Sequence, residues 1–411
     1  MFHVPRRAGN HPRLALGFLV VLLITVIGLI GWGTLRKPHD PAEGTVESLP
    51  PRPPVEVVEQ LPELKAQLDR WGGSGQFTGG VLVAKGDQVL YRQVHGWADR
   101  SPMKPLALNS RFRLASVSKQ FTAAAILRLQ DDGKLSVDDP VCKYIQPCPA
   151  AWAPIRLHHL LSHTSGIPDL MARPGWGLRR VTPATPEELT ADSMRYGLQF
   201  PPGTKVRYDN AGYNLLGAVV ETITGMGLHD YLQQAFFKPL GMTDTGYDDG
   251  QSDVVMGYAN LAAGAPTPQP DANVSIIYGA GALYSTLDDL LIWERALHRG
   301  HVLSARSYGQ MIADHAPADT PDERGKPRRL WGYGLYEKEL GRQVRPEFTD
   351  NQIFHTGSWS GFRNLVTYQP DEDVTVIVLS NNYHQRDAVF LLSQQGMAEA
   401  LGRGFPTTLA R

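Results

Sequence analysis

Residues 112–133 read FRLASVSKQFTAAAILRLQDDG, and this stretch decides the fold. A short strand-like segment, 112–114, leads into a run from Ser116 to Asp132 in which apolar side chains recur at helical spacing and Gly133 ends the run. Ser116 and Lys119 are three positions apart, so a helix places both on one face. The pattern therefore predicts a strand followed by a helix that begins with a Ser-x-x-Lys pair.

This serine and lysine could act together as nucleophile and base. An amine accepts the proton of a hydroxyl once it has lost its own proton, which burial favours. The motif is weak in isolation, because Ser101 and Lys104 match it too. Pro102 and Pro105 oppose a helix at that second match. The alternative interpretation of Ser116 is a helix N-cap followed by a solvated lysine.

A Tyr-x-Asn triplet at residues 208–210 could supply further catalytic groups. A tyrosine such as Tyr208 can relay a proton to the leaving group, and the amide of Asn210 can hold a substrate carbonyl. The same pattern occurs at Tyr258 and Asn260, so the triplet alone is equally consistent with a tyrosine that packs its ring in a loop.

A third candidate element is His355-Thr356-Gly357-Ser358, on a predicted strand. Gly357 would allow another backbone to approach closely. The amides of Ser358 and Ser116 could together form an oxyanion hole. The alternative is an ordinary edge strand before the turn at 360–361.

Strand signals lie near both ends of the folded region, with helical patterns between them. Helical spacing from Val55 to Trp71 stops at two glycines, and residues 80–85 and 89–95 then read as a β-hairpin. Residues 134–245 are mostly helical patches, and strand patterns return from Tyr333 to Leu379. We therefore expect one sheet assembled from distant segments and flanked by helices.

The N-terminal region predicts a membrane anchor. Residues 14–35 carry no charge, and 22 residues span a hydrocarbon core of roughly 30 Å as a helix. We expect a cytoplasmic N-terminus at 1–13, an anchor at 14–35, a proline-rich linker at 36–54 and an extracytoplasmic domain at 55–411. A cleaved signal peptide, which would leave the domain secreted, is the rival interpretation.

Composition and residue clusters exclude some functions. The 40 basic and 41 acidic side chains nearly cancel, so nucleic acid is not an expected partner. The two cysteines, Cys142 and Cys148, permit a local disulfide or two free thiols. His158, His159 and His163 cluster, but no carboxylate accompanies them, so we predict no metal site and no cofactor.

The order Ser-x-x-Lys, Tyr-x-Asn, His-Thr-Gly resembles the class C β-lactamase-related serine hydrolases and penicillin-binding D,D-peptidases. The segments at 113–122, 160–168 and 279–286 resemble that family as well, and the likeness spans most of the chain after Val55. It implies an α/β (α+β) fold with an antiparallel sheet flanked by helices and an inserted all-helical domain at about 134–275. It also implies an acyl-enzyme on the serine.

The resemblance assigns roles to the candidate residues. Ser116 would attack an amide or ester of a small-molecule or peptide substrate, Lys119 and Tyr208 would move protons, and Asn210 would position the acyl amide. His355 would line the third wall of the site, and the whole third motif, 355–358, would bind substrate. One departure matters: lysine is typical of true class C β-lactamases at position 355, whereas a histidine is only fractionally charged near neutral pH. This favours a D,D-carboxypeptidase, D-aminopeptidase or esterase, with a penicillin-binding or sensor protein of little turnover as the alternative.

Overall fold

The computed structural model describes residues 56–250, 252–260, 266–269, 272–322 and 327–410. The predicted cytoplasmic segment (1–13), anchor (14–35) and linker (36–54) lie outside these residues. Among the helices of the described ranges, none has both the length and the apolar character needed to cross a membrane.

An eight-stranded antiparallel sheet is the frame of the described domain. The strands of this sheet and of four smaller sheets are, in chain order, β1 (Val58–Glu59), β2 (Gly79–Lys85), β3 (Gln88–His95), β4 (Trp97–Arg100), β5 (Met103–Pro105), β6 (Phe112–Arg113), β7 (Gly246–Tyr247), β8 (Tyr258–Asn260), β9 (Pro266–Pro268), β10 (Leu283–Ser285), β11 (Leu330–Trp331), β12 (Tyr336–Lys338), β13 (Val344–Arg345), β14 (Gln352–Trp359), β15 (Phe362–Gln369), β16 (Val374–Ser380) and β17 (Thr408–Leu409). The large sheet has the order β1-β3-β2-β16-β15-β14-β12-β11. Because β2 pairs with β16 along its whole length, the two ends of the domain meet in the centre of the sheet.

Helices cover both faces of this sheet and fill the middle of the chain. They are α1 (Pro62–Ser74), α2 (Lys119–Asp131), α3 (Leu157–Leu161), α4 (Trp176–Arg179), α5 (Pro186–Met194), α6 (Ala211–Thr224), α7 (Leu228–Leu232), α8 (Lys238–Leu240), α9 (Tyr278–Gly281), α10 (Leu287–His298), α11 (Ala305–Ile312) and α12 (Arg386–Ala400). Single turns of 3-10 helix lie between several of them, including 115–118 immediately before α2. A sheet with helices on both sides is the fold class that the sequence predicts.

The core consists of two apolar clusters, one on each face of the sheet. Every residue of β16 is buried, and its side chains alternate between the faces. Val376 and Val378 join the cluster that includes α1 and α12, whereas Ile377 and Leu379 join the cluster that includes α2, α6 and α10. The cluster that contains Ile377 and Leu379 packs α2 against the sheet, and Ser116 lies in the turn just before this helix.

The start of the domain differs from the sequence prediction. The predicted helix from Val55 to Trp71 is instead β1 followed by α1, because Pro62 supplies a favourable first helical position. The predicted stop at Gly72 and Gly73 is wrong, since both lie inside α1. The helix ends at Ser74, and its C-cap is Gly75, which adopts a left-handed φ of 72°. The predicted hairpin is confirmed as β2 and β3.

Residues 134–275 hold α3 to α8 together with the short strands β7, β8 and β9. That they form a separate inserted all-helical domain stays a prediction. Within this region Cys142 and Cys148 form a disulfide, which resolves the alternative that the sequence left open.

Candidate active site

The backbone before Ser116 is held tightly at the junction of the sheet and α2. The amide of Leu114 donates to the carbonyl of Leu283, and the side-chain amide of Asn364 in β15 donates to the carbonyl of Leu114. Ala115 has a φ of 50°, a left-handed conformation that is uncommon for a residue other than glycine. These contacts fix the turn that positions Ser116, whose side chain is half-buried.

Lys119 is buried at the first turn of α2 and points toward Ser116. Its Nζ lies 3.3 Å from Oγ of Ser116 and donates hydrogen bonds of 2.8 Å to Oδ1 of Asn210 and to the carbonyl of Ala280. Burial lowers the pKa of Lys119 to about 7, although the negative charges of Asp169 and Asp209 oppose this effect. The alternative of a solvated lysine is wrong, because the side chain has no solvent exposure.

Tyr208 contacts the same serine and lies close to Lys119, whose Nζ is 4.8 Å from the centroid of the Tyr208 ring. Its hydroxyl donates to Oγ of Ser116 at 2.7 Å, and its ring packs on the imidazole of His163 with centroids 4.5 Å apart. Burial raises the pKa of Tyr208 well above its usual value, so the hydroxyl stays protonated near neutral pH. The structure thus brings a hydroxyl donor and an amine to the same serine oxygen.

Asn210 is fully engaged in the free protein. Its Oδ1 accepts from Lys119, while its Nδ2 donates to Oδ1 of Asp169 at 3.0 Å. Both ends of the amide therefore have protein partners before any substrate binds. A role for Asn210 in holding the acyl amide of a substrate stays a prediction.

The third motif lies in β14, next to the Ser116 turn. A Cβ on Gly357 would come within 2.2 Å of the carbonyl oxygen of Leu114, so a glycine is required for this close approach. Thr356 is exposed and Ser358 is half-buried. On the side of β14 that faces away from β15, β12 pairs with residues 352–354. No strand of the described ranges pairs with residues 355–359 on that side, so this edge of β14 is open.

The hairpin register determines which amides face this open edge. Trp359 and Phe362 pair across the two-residue loop 360–361, and such a closing pair exchanges its hydrogen bonds across the hairpin. The backbone N–H and C=O groups of alternate residues therefore point away from β15, toward the open edge. Thr356 and Ser358 are two of these residues. In agreement, the outward carbonyl of Thr356 bonds to a side chain rather than to β15.

His355 is buried beneath the site as a neutral imidazole. Its Nδ1 donates to the carbonyl of Thr356 at 2.7 Å, and its ring stacks on Tyr336 with centroids 4.8 Å apart. Burial, helped by the positive charge of Lys119, lowers the pKa of His355 well below its usual value. The expected fractional charge of His355 near neutral pH is therefore wrong, because the side chain has too little water around it to carry a proton.

Sequence reasoning missed three contributors to the site. The carbonyl of Ala280 accepts from Lys119, Asp169 bonds to Asn210, and His163 packs under Tyr208. His163 and Ala280 fall in segments with the family resemblance, and Asp169 immediately follows one of them, so that resemblance was the available signal. Of the clustered histidines, His158 and His159 instead pack against each other with tilted rings, whose centroids are 3.9 Å apart.

Comparison with known proteins accounts for this arrangement. The family model described as Beta-lactamase matches residues 56–394. The chain belongs to the β-lactamase family. It is 29% identical over 340 residues to penicillin-binding protein 4* of Bacillus subtilis, covering 77% of this chain and 71% of the relative. Esterase EstB of Burkholderia gladioli is 28% identical over 328 residues, covering 70% of this chain and 81% of the relative.

A solved structure of this family has the same fold. The octameric penicillin-binding protein homologue from Pyrococcus abyssi superposes with a TM-score of 0.69 at 26% sequence identity, covering 83% of this chain and 77% of that one. The predicted β-lactamase-like fold and the family resemblance are both confirmed. The chain is accordingly a serine hydrolase of the β-lactamase family.

Proposed function

We propose that this β-lactamase-family hydrolase cleaves an ester or amide bond through an acyl-enzyme on Ser116. One observation carries the assignment: Oγ of Ser116 accepts a 2.7 Å hydrogen bond from Tyr208 and lies 3.3 Å from a buried amine, that of Lys119. A serine oxygen that meets both a base and a proton donor is equipped for nucleophilic catalysis.

Lys119 acts as the proton acceptor in its neutral form. A neutral amine has two N–H bonds and one lone pair, and two acceptors already lie 2.8 Å from Nζ, at Asn210 and Ala280. If the two N–H bonds point to these acceptors, the lone pair faces the hydroxyl of Ser116. The pKa of about 7 supports a substantial neutral fraction at physiological pH.

The covalent step then balances as follows. Oγ of Ser116 bonds to the substrate carbonyl carbon as its proton passes to Lys119, and the carbonyl oxygen becomes an oxyanion. The oxyanion re-forms the carbonyl as the bond to the leaving group breaks. Tyr208 gives its proton to the departing oxygen or nitrogen and regains one from Lys119. Water repeats the sequence on the acyl-enzyme, releasing the acid and restoring the serine.

The oxyanion is stabilised by the backbone amides of Ser116 and Ser358. The register of β14 favours this role for Ser358, because its amide faces the open edge of the strand. Fixed amide dipoles of this kind stabilise negative charge as it forms, and they need no reorganisation during the reaction.

The substrate class follows from the third motif. A neutral, buried His355 offers no positive charge to a substrate carboxylate, unlike the lysine of true class C enzymes. We therefore infer that esters and D-amino-acid amides or peptides are turned over better than β-lactams. The relative named Esterase EstB supports the ester part of this range.

Labelling of the serine tests the assignment. A fluorescent fluorophosphonate should label the wild-type protein and the variant Ser101→Ala equally, because Ser101 belongs to the other Ser-x-x-Lys match, whose Lys104 is 61% exposed. Ser116→Ala should show no labelling and lose hydrolysis of p-nitrophenyl butyrate by at least about 1000-fold. Labelling that survives Ser116→Ala at another residue would refute the nucleophile assignment. Ligand-induced stabilisation without turnover would instead favour a sensor.

We also propose that residues 14–35 anchor the catalytic domain outside the cytoplasm. The uncharged 22-residue run supports an anchor, and the Cys142–Cys148 disulfide suits an oxidising compartment. Expressed in a bacterial host, the full chain should resist carbonate extraction from membranes, and protease added to spheroplasts should digest the domain. Recovery in the soluble fraction with an N-terminus beyond residue 35 would establish a cleaved signal instead.

A further inference from the structure

Asp169 forms hydrogen bonds with Asn210, which in turn forms a hydrogen bond with Lys119. Oδ1 of Asp169 accepts two hydrogen bonds from Asn210, one from the backbone amide at 2.9 Å and one from Nδ2 at 3.0 Å. Asn210 itself is 3% exposed, and its Oδ1 accepts from Nζ of Lys119 at 2.8 Å. A carboxylate, an amide and an amine therefore form one chain that ends at the proposed base.

The direction of this chain depends on the carboxylate. An asparagine side chain presents a donor on one side and an acceptor on the other, and a half-turn exchanges them. A carboxylate only accepts, so Asp169 can be satisfied by Nδ2 but not by Oδ1 of Asn210. The amide oxygen must then face Lys119, where it can take one of the N–H bonds of the amine.

The opposite orientation would place two donors against each other. If Nδ2 of Asn210 faced Lys119, a neutral amine would use its lone pair to accept from Asn210, and that lone pair would no longer face Ser116. The base would then be unable to accept the hydroxyl proton, although every residue of the site would still be present.

We propose that Asp169 is a positioning residue for the acylation reaction: it fixes the orientation of the Asn210 amide, and with it the lone pair of Lys119, and its negative charge favours the protonated form of that amine. This inference rests on the proposed function, since it requires Lys119 to act as the base. It extends that function to a residue outside the three motifs.

The other groups around Lys119 leave Asp169 as a prominent source of charge. Those that face the amine or interact with it electrostatically are Asp169, Asp209, Tyr208, Tyr213, His163 and His355. Both tyrosine hydroxyls have a raised pKa and both imidazoles a lowered one, all through burial, so these four groups stay neutral near pH 7. Asp209 has a structural contact of its own, because its Oδ1 accepts a hydrogen bond from the backbone amide of Gly212 at the start of α6.

The sign of the charge effect can be tested. The carboxylate of Asp169 raises the pKa of Lys119 against the larger effect of burial. Asp169→Asn removes the charge but keeps the size of the side chain, so the amine should lose its proton at lower pH. We expect the acid limb of kcat/KM for p-nitrophenyl butyrate to move down by roughly one pH unit. The maximal kcat should fall about tenfold, because an amide at 169 no longer enforces one orientation of Asn210.

Two further variants separate charge from structure. Asp192→Asn removes a carboxylate from α5 that pairs with Arg179 at 3.1 Å, and it should keep both the wild-type midpoint and kcat. Asp169→Glu keeps the charge on a longer side chain, so it should keep the wild-type midpoint even where kcat falls. Thermal unfolding and fluorophosphonate labelling of each variant measure the folded, reactive fraction.

The outcomes distinguish this inference from the proposed function. If wild type is not labelled at Ser116, the proposed function itself fails. If wild type is labelled there but Asp169→Asn has the same midpoint as Asp192→Asn, the role of Asp169 is refuted. A lower melting temperature with an unmoved midpoint would likewise refute it, because that result describes a purely structural contact.

Discussion

The phenolic hydroxyl of Tyr208 donates a 2.7 Å hydrogen bond to Oγ of Ser116, the same atom that lies 3.3 Å from Nζ of Lys119. Two residues from distant parts of the chain thus approach the same oxygen. Since burial keeps Tyr208 protonated, it can donate a proton in the proposed mechanism, in which Lys119 accepts one. This division of roles makes each residue separately testable.

The pH profile should report Lys119. Burial lowers its pKa to about 7, and only the neutral amine accepts a proton, so kcat/KM should rise with pH through a midpoint near 7. Below that midpoint the rate should fall about tenfold per pH unit, because the neutral fraction does. Tyr208 should add no alkaline limb, since its pKa is raised. Initial rates with p-nitrophenyl butyrate from pH 5 to pH 9 measure this.

Lys119→Arg provides the check on that profile. A guanidinium stays protonated at every accessible pH, so hydrolysis should be lost across the whole range. A residual activity in Lys119→Arg with the wild-type midpoint would assign the titration to another group.

Replacement of Tyr208 by phenylalanine should lower kcat by about 100-fold or more, the usual contribution of a positioned proton donor. The matched control is Tyr258→Phe in the other Tyr-x-Asn triplet. Tyr258 accepts from the amide of Arg100 and donates to Asp99, so its loss removes structural contacts and should leave kcat unchanged. Equal losses in the two variants would contradict a catalytic role for Tyr208.

The fold class and the three motifs could be identified from the sequence, because both depend on local patterns of residues. Apolar spacing identified α2 and the β2–β3 hairpin, and the order of the motifs identified the family. Helix ends were less predictable: two consecutive glycines, Gly72 and Gly73, mark a stop by propensity, yet α1 continues through them because tertiary packing outweighs their intrinsic cost of about 1 kcal/mol each.

The electrostatics of the site could not be predicted in the same way. The charge state of His355 depends on its burial beside Lys119, and the contact of Asp169 with Asn210 joins residues 41 positions apart. Neither leaves a trace in residue spacing. The three motifs named the residues that touch the serine, whereas the residues that set their charge and orientation required the folded structure.

His355→Lys should not convert the protein into an efficient β-lactamase. A lysine at this position would restore the Lys-Thr-Gly pattern, but the side chain is 2% exposed and lies close to the positive charge of Lys119. A second buried cation should lower the free energy of unfolding by about 3 kcal/mol at pH 6. Denaturant unfolding and hydrolysis of a chromogenic cephalosporin measure both effects. A stable variant with fast cephalosporin turnover would show that histidine alone limits the β-lactamase activity.

Gly357→Ala should disrupt the close packing of the third motif against the turn that holds the nucleophile. Its new methyl group would lie 2.2 Å from the carbonyl oxygen of Leu114, a backbone atom that cannot move without displacing the Ser116 turn. We expect kcat/KM to fall at least about 100-fold, because a shift near 1 Å misplaces both oxyanion donors. The free energy of unfolding should fall by about 1–3 kcal/mol. Gly309→Ala is the matched control, because its methyl group would meet no atom within 4 Å inside α11. This variant should keep full activity, and its free energy of unfolding should rise by roughly 0.5–1 kcal/mol. Wild-type activity in Gly357→Ala would mean that β14 and the serine turn do not need this close contact for catalysis.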